Sequence, residues 1–324
     1  MKTLHVERQD NTLRHIGRTP KLSDYITTYI ATLATSNKRE ATRDKESGCL
    51  EKWSEKLGHW RLEQIRPHHL TGFLDELKRQ GMSGRTANLY VIALRHVMKR
   101  ARRDGYLKTL PTADWEWEKS DTKKRELVAP SELEIICEKA LKASKNGQQL
   151  ADYLRLLAYS GARRNEALVL RWQDMDFDRK QLTIGADGSA KNRKPRHVDF
   201  IPALEAHLRD MHSRRAPDSE WIFPSPQRGE KDIPASTFME SLRLTRALLP
   251  DKLKRIGFHD CRHFFISFCV MSGVPAMTVA SWVGHADGGV LIGKVYGHLN
   301  DEHKRAQAAR VVFAPALVET AQIA

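Results

Sequence analysis

The segment Leu157-Ala158-Tyr159-Ser160-Gly161-Ala162-Arg163-Arg164-Asn165-Glu166-Ala167-Leu168 ends one apolar helix at Ser-Gly and opens another with Arg163 near its first turn. The N–H groups of a first helical turn have no partner inside the helix, so they point at an anion, and an arginine fork can add two more bonds to it. Alone the segment is ambiguous, because an Arg-x-x-Glu pair serves equally well as a surface salt bridge. Its meaning depends on what else the chain carries.

Two further segments have the same character. Gly257-Phe258-His259-Asp260-Cys261-Arg262-His263-Phe264 sets His259 and Arg262 three residues apart, on one helix face. Phe258, Phe264, Phe265, Phe268 and Val270 make that helix apolar on much of its surface. An arginine buried there without a partner would be costly, so Arg262 either pairs with a carboxylate or faces a cavity that receives an anion. Trp282-Val283-Gly284-His285 and then Lys294-Val295-Tyr296-Gly297-His298-Leu299 follow. A Gly-His after an apolar helix also reads as an ordinary cap. Tyr296 stands beside Gly297, outside any apolar stripe.

Composition narrows the partner. A chain of 324 residues is long enough for two domains with their own cores. With 40% hydrophobic and 29% charged residues it is a folded protein rather than a disordered one. The net charge of +14 calls for a polyanionic partner, of which nucleic acid is the commonest. Cys49, Cys137, Cys261 and Cys269 form no CxxC and no metal-type pair, and read as small buried thiols of a reducing cytosol. No start resembling a signal peptide is present. Phe264 to Val283 is apolar enough to test as a membrane span. Gly273 and Pro275 interrupt it and His263 and His285 flank it, so it reads as two packed helices joined by a turn. No membrane partner is expected. A metal-dependent hydrolase built on the histidines is disfavoured, since no ligand spacing such as His-Glu-x-x-His occurs.

Along the chain, residues 1–20 read as an irregular N-terminal arm. Residues 21–105 read as four helices: one from Lys21 with Tyr25, Tyr29 and Leu33 on a face, one over Ala41 to Leu57, one over His68 to Arg79, and one from Arg85 to Asp104. The last carries Arg95, Lys99, Arg100, Arg102 and Arg103. Up to residue 127 the chain holds 26 Lys and Arg against 17 Asp and Glu, a net of +9, which leaves +5 for the rest. A basic run on a helix is usually a solvated face. Concentrated on a small helical domain, it suits contact with DNA phosphates, so Arg95, Lys99, Arg102 and Arg103 are the DNA-binding candidates. Residues 106–127 read as a linker and 128–324 as a second domain. Ser131 with Glu134 suggests a capping box there, and short strands are expected over Trp172 to Phe177, Leu182 to Gly185 and Arg196 to Phe200. Asp301 to Val312 reads as an amphipathic helix.

Taken in order, Arg163, Lys191, His259-x-x-Arg262, His285 and Tyr296 resemble the tyrosine recombinase (phage integrase) family. Its Thr/Ser-Gly-x-Arg-x-x-Glu segment is matched by Ser160 to Glu166, and its hairpin lysine by Lys191-Asn192-Arg193-Lys194-Pro195-Arg196-His197-Val198. The His-x-x-Arg helix, the Gly-His turn and the C-terminal tyrosine are matched by His259-Asp260-Cys261-Arg262, Val283-Gly284-His285 and Tyr296. The match covers about residues 128 to 312, whereas for residues 21–105 it rests on helical organisation and charge. Val283 replaces the usual leucine, and the spacing from His285 to Tyr296 is slightly long.

The resemblance implies a mainly α fold with a small antiparallel β-sheet: an all-helical core-binding domain followed by an α+β catalytic domain of the DNA breaking-rejoining type. It implies a site-specific recombinase or integrase that cuts and rejoins DNA through a 3′-phosphotyrosine at Tyr296, integrating or excising a prophage or related mobile element. Arg163 and Arg262 would clamp the phosphate and His285 would donate to it. Lys191 would be the general acid, with Lys194 and Arg193 as rivals. His259 would accept the Tyr296 proton or touch the phosphate, and Glu166 would orient the site without touching DNA. Two arginines and a histidine can replace a metal ion, so no metal and no cofactor is expected. The implied partners are double-stranded DNA and three further copies, as a tetramer on paired sites, with accessory DNA-bending or directionality proteins also allowed. The implied location is the bacterial cytosol, on the nucleoid when bound. A non-catalytic DNA-binding protein would leave the ordered residues as coincidence, and a type IB topoisomerase would share the chemistry without a specific site.

Overall fold

The computed structural model describes residues 19–119, 128–186, 194–225, 232–290 and 292–293, together with Arg305 and Ala308. It divides into two compact units, residues 1–124 and 125–324.

Among its described residues the first unit contains four α-helices: α1 (Leu22–Leu33), α2 (Glu40–Leu57), α3 (Pro67–Arg79) and α4 (Gly84–Arg103). Tyr25, Tyr29 and Leu33 lie buried on one face of α1, as their four-residue spacing predicts. Pro67 starts α3, where a missing N–H costs nothing, and Ser83 caps α4 by accepting the Thr86 N–H at 3.3 Å. Trp53 is fully buried and its indole N–H donates to the Tyr90 carbonyl at 2.9 Å, which ties α2 to α4. Residues 106–119, expected to open the linker, pack back on this unit. Leu110 is buried, and Asn88 exchanges two hydrogen bonds with the Glu118 backbone at 2.9 and 3.0 Å.

The second unit begins with α5 (Pro130–Ala143), α6 (Gly147–Ser160) and the short α7 (Arg164–Leu168). A three-stranded antiparallel sheet follows, in the order β1 (Met175–Asp176), β2 (Gln181–Ile184), β3 (Arg196–Asp199), with Leu182 opposite both Met175 and Val198. Then come α8 (Pro202–Ser213), α9 (Met239–Ala247), α10 (Phe258–Met271) and α11 (Ala276–Val283). The fold is mainly α with a small antiparallel sheet, as expected. The first strand is shorter than anticipated because Trp172–Asp174 makes a single 3-10 turn, closed by the Asp174 carboxylate on the Arg171 N–H at 2.8 Å. The start of α5 is also capped differently. Glu132 takes the Ala129 N–H at 2.8 Å, one residue before Pro130, while Glu134 instead pairs with Arg155 at 2.6 Å. Pro130 fixes the first helical position, so the cap falls earlier than Ser131.

Helix α6 is the axis of this unit, with Leu150, Ala151, Leu154, Leu156, Leu157 and Ala158 buried. Tyr153 sits among Phe223, Phe238 and Phe258 with ring centroids 4.9 to 5.3 Å away. Its hydroxyl donates to the Arg164 carbonyl at 2.6 Å, which pins the turn between α6 and α7. The apolar stretch of Phe264 to Val283 is indeed two helices around a turn at Gly273 (φ 79°). Among the described residues no helix is long and apolar enough to cross a membrane. All four cysteines are buried free thiols.

Gly161 ends α6 in the left-handed conformation (φ 64°). A Cβ there would lie 2.4 Å from Phe265 Cδ1 and 2.9 Å from Val283 Cγ1. Gly288 has nearly the same φ of 63° with nothing within 4 Å of such a Cβ. Gly288→Ala is therefore expected to cost about 1 kcal/mol from backbone strain alone, and Gly161→Ala at least about 3 kcal/mol, since the buried rings must shift as well. Urea unfolding of the two variants measures the difference, and equal losses would contradict this packing.

Candidate active site

Three arginines from separate parts of the chain converge on the end of α11. This helix closes with Gly284 in the left-handed conformation (φ 67°), and the His285 N–H turns back to the Ala280 carbonyl at 2.9 Å. The last carbonyls of a helix have no partner within it. Here Arg196 Nε donates to the Trp282 carbonyl at 2.8 Å, Arg262 Nη2 to the Val283 carbonyl at 2.7 Å, and Arg163 Nη2 to the Gly284 carbonyl at 3.0 Å. The negative end of the α11 dipole thus collects three guanidiniums immediately before His285.

Each arginine is brought there by its own element. Arg163 is extended and caps α7, directly after the Gly161 turn. Arg262 lies in the second turn of α10 with 2% of its surface exposed, and its Nη1 donates to the Gly161 carbonyl at 2.6 Å. One guanidinium therefore links the end of α6 to the end of α11. Arg196 opens β3, and its side chain is 9% exposed. Its stem packs so closely on the turn that a Cβ at Gly284 would lie 3.0 Å from Arg196 Cδ.

Glu166 completes the cluster. It is 2% exposed, and one carboxylate oxygen takes Arg163 Nη1 at 3.0 Å while the other takes Arg196 Nη2 at 2.6 Å. The second oxygen also accepts the Arg163 N–H at 3.2 Å. The anion held at the start of α7 in this structure is thus the protein's own carboxylate. Burial pushes the Glu166 pKa up, but Arg196 and then Arg163 outweigh it and hold the acid below its ordinary range.

His285 is half-buried, and its pKa is driven down by burial first and then by the charges of Arg262, Arg163 and Arg196, against Asp287. Its Nδ1 is buried and finds no hydrogen-bond partner among the described residues. His259 is exposed at the start of α10, its ring edge-on to His263 at 4.7 Å. Lys194 is exposed ahead of β3. Lys191, Arg193 and Tyr296 lie outside the described residues, as do residues 301–312 apart from Arg305 and Ala308.

In the first unit, Lys99, Arg102 and Arg103 are exposed along the last turns of α4. Arg95 is half-buried with its guanidinium 5.9 Å from the Trp117 ring centroid. Among the described residues one trio, Asp152, His207 and Asp210, has the spacing of metal ligands. Arg214 already pairs with both carboxylates, at 3.2 and 2.5 Å.

The sequence reading gathered Arg163, Glu166, Arg262 and His285, and the structure brings these four together. It missed Arg196. The signal was available: β3 alternates, so Arg196 shares the inward face of Val198 while His197 and Asp199 face out. An arginine on a buried strand face needs an acidic or carbonyl partner.

Comparison with known proteins agrees with this architecture. The solved structure of a Tn1549 transposon integrase in complex with a circular intermediate DNA superposes with a TM-score of 0.71 at 15% identity, covering 91% of this chain and 100% of that one. A lambda integrase tetramer bound to a Holliday junction gives 0.68 at 16% identity, covering 88% and 82%. The fold is thus the integrase fold. The model of the Phage integrase family matches residues 127–303, and that of the phage integrase N-terminal SAM-like domain matches residues 26–105. Tyrosine recombinase XerC of Xanthomonas campestris pv. campestris is 24% identical over 252 residues, covering 78% of this chain and 75% of the relative. A probable integrase/recombinase of Acholeplasma phage L2 is 29% identical over 208 residues, covering 62% and 66%. The chain belongs to the phage integrase family and is a tyrosine recombinase, an enzyme of site-specific DNA recombination.

The site also fixes a pH dependence. A histidine whose folded pKa is depressed binds its proton more readily when unfolded, so stability rises with pH across the window between the folded value and the ordinary value of about 6.5, and is lost as pH falls through that window. Thermal melts at pH 7.5 and 5.5 should show this acid loss, and His285→Gln should lose less than the wild type. An unchanged or larger acid loss in the variant would show that His285 is not held neutral.

Proposed function

We propose that Tyr296 attacks a DNA phosphodiester that is seated on Arg163, Arg262 and His285. The observation that carries this reading is the convergence of those three side chains on one turn, in a family whose model extends through Tyr296. The tyrosine oxygen bonds to phosphorus as the bond from phosphorus to the 5′ oxygen breaks. The protein is left with a 3′-phosphotyrosine and the DNA with a 5′-hydroxyl. The phosphoester energy stays in the covalent link, so the free hydroxyl can reverse the step and rejoin a strand without ATP.

The roles follow from charge. Negative charge grows on the non-bridging oxygens in the transition state, and two fixed guanidiniums with a neutral histidine donor stabilise it without reorganising. Lys191 protonates the leaving 5′ oxygen, and His259, exposed at the mouth of α10, takes the phenol proton. Glu166 aligns Arg163 from behind and does not touch DNA. Tyr159 is a poor rival nucleophile, because burial and the Glu134 carboxylate, which accepts its hydroxyl at 3.2 Å, push its pKa up to about 12.

The first unit serves as the core-binding domain. Lys99, Arg102 and Arg103, with Arg95 beside Trp117, contact the phosphate backbone, and four protomers assemble on two paired sites. The Holliday-junction tetramer among the structural neighbours supports that assembly. The phage and transposon relatives support integration or excision of a prophage or similar mobile element, in the bacterial cytosol with the enzyme on the nucleoid when bound.

Covalent capture on DNA flanking the gene, followed by sequencing of the trapped ends, yields the cut site. On a duplex nicked beside that site, the wild-type protein is expected to form an adduct in EDTA. Tyr296→Phe should bind the same duplex and form none, while Tyr159→Phe should still cleave. An adduct in Tyr296→Phe, or an absolute metal requirement, would overturn the mechanism. Binding should weaken steeply with salt, and Lys99→Ala with Arg103→Ala should flatten the log–log salt slope by about one unit per lost contact on any sequence. An unchanged slope would remove α4 from the interface.

A further inference from the structure

Arg196 contacts both the carboxylate that holds Arg163 and the turn that carries His285. It donates to Glu166 at 2.6 Å and to the Trp282 carbonyl at 2.8 Å, with a side chain only 9% exposed. Glu166 has two cationic partners among the described residues, and its single negative charge is divided between them. The three groups together carry a net charge of +1. Without Arg196 the balance changes. The buried carboxylate would then turn wholly onto Arg163, its remaining cation, and the pair would be neutral. Charges at such short range, largely shielded from water, interact strongly, so a neutralised Arg163 would attract an incoming phosphate far less.

We propose that Arg196 is a positioning residue for strand cleavage: it holds one oxygen of Glu166 and the Trp282 carbonyl, so that Arg163 meets the phosphate with its charge uncancelled and in register with the His285 turn. This rests on the reading of Arg163 and His285 as phosphate-binding groups. Arg196 acts through Glu166 and the turn and touches no DNA. Its fork serves two acceptors in one plane, which a lysine cannot do, though a lysine can still supply a charge beside Glu166.

The bland alternative is that Arg196 only stabilises the packing of β3 on α11. The two differ in how Glu166→Gln behaves. If Arg196 keeps Glu166 from cancelling Arg163, then removing the Glu166 charge harms the enzyme when Arg196 is present and helps it when Arg196 is absent. If Arg196 is purely structural, the coupling between these two buried partners falls on stability, and Glu166→Gln changes the rate per folded, duplex-bound enzyme with the same sign in both backgrounds.

Single-turnover cleavage of the nicked duplex carrying the captured site reads this directly, with wild type, Tyr296→Phe, Arg196→Gln, Arg196→Lys, Glu166→Gln and Arg196→Gln/Glu166→Gln. Rates are normalised to the folded, duplex-bound fraction, so that loss of fold does not pass as loss of chemistry. Arg196→Gln is expected to cleave about 100-fold more slowly than wild type at saturating enzyme, in the range seen when one stabilising donor is lost. Adding Glu166→Gln should then raise its rate by about 10-fold, whereas Glu166→Gln alone lowers the wild-type rate. Arg196→Lys should retain more than about a tenth of the wild-type rate. A Glu166→Gln effect of the same sign in both backgrounds, or Arg196→Lys as slow as Arg196→Gln, overturns the proposal while leaving Tyr296-dependent cleavage intact. Absence of a Tyr296-dependent adduct in the wild type would overturn the phosphate-binding reading itself, and this inference with it.

Discussion

Three buried or half-buried arginines share the last three carbonyls of one short helix, and much of the second unit is arranged to make that possible. A guanidinium out of water must find acceptors for its donors. Carbonyl acceptors at a helix C-terminus satisfy those donors without cancelling the positive charge, unlike a carboxylate. Arg262 takes two such carbonyls, one from α6 and one from α11, and so locks the Gly161 turn against the Gly284 turn. Both turns use left-handed glycine, and at Gly161 the neighbouring Phe265 and Val283 leave no space for a Cβ. The result is a positively charged cluster whose geometry is fixed by the protein's own carbonyls, and on the proposed reading such a cluster stabilises a transition state without waiting for the protein to move.

The same economy of charge explains the neutral histidine. His285 follows directly on the turn that the arginines hold, and burial together with their field keeps a proton off it. A neutral imidazole still offers one N–H donor. The first unit handles charge differently. Its buried Glu46 accepts the Tyr29 hydroxyl at 2.8 Å and faces His96 at 2.9 Å, besides pairing with Lys38, and so fixes α1, α2 and α4 around a polar joint. Lys99, Arg102 and Arg103, by contrast, lie exposed along the far end of α4.

Much of this was legible in the chain. The four-residue spacing of Tyr25, Tyr29 and Leu33 and the Gly273-Pro275 break each state a local rule, and the structure follows them. Arg163, Glu166, Arg262 and His285 were legible as a set only through the family resemblance that their order along the chain carries, since each segment alone also reads as a salt bridge or an ordinary helix cap. What the chain hid was long-range. Strand alternation marks Arg196 as inward, but its acceptors, Glu166 and the Trp282 carbonyl, lie 30 and 86 residues away in sequence. At the start of α5, Ser131 matches the capping pattern, but with Pro130 at the first helical position the cap falls two residues earlier, at Ala129, and gives the role to Glu132. Residues 106–119 look like a linker by composition, but the partners that hold them, Asn88 and Lys78, are 30 and 40 residues away in sequence.

The central claim is that the covalent chemistry passes through Tyr296 with 3′ polarity. Digesting the trapped protein–DNA complex with trypsin and nuclease, and then locating the nucleotide mass by fragmentation spectrometry, tests it most directly. The nucleotide should sit on Tyr296 within residues 295–304, attached through a 3′-phosphate, while the cut DNA presents a 5′-hydroxyl that accepts labelled phosphate from a kinase without prior dephosphorylation. A nucleotide on any other residue, or a linkage through a 5′-phosphate, would contradict it.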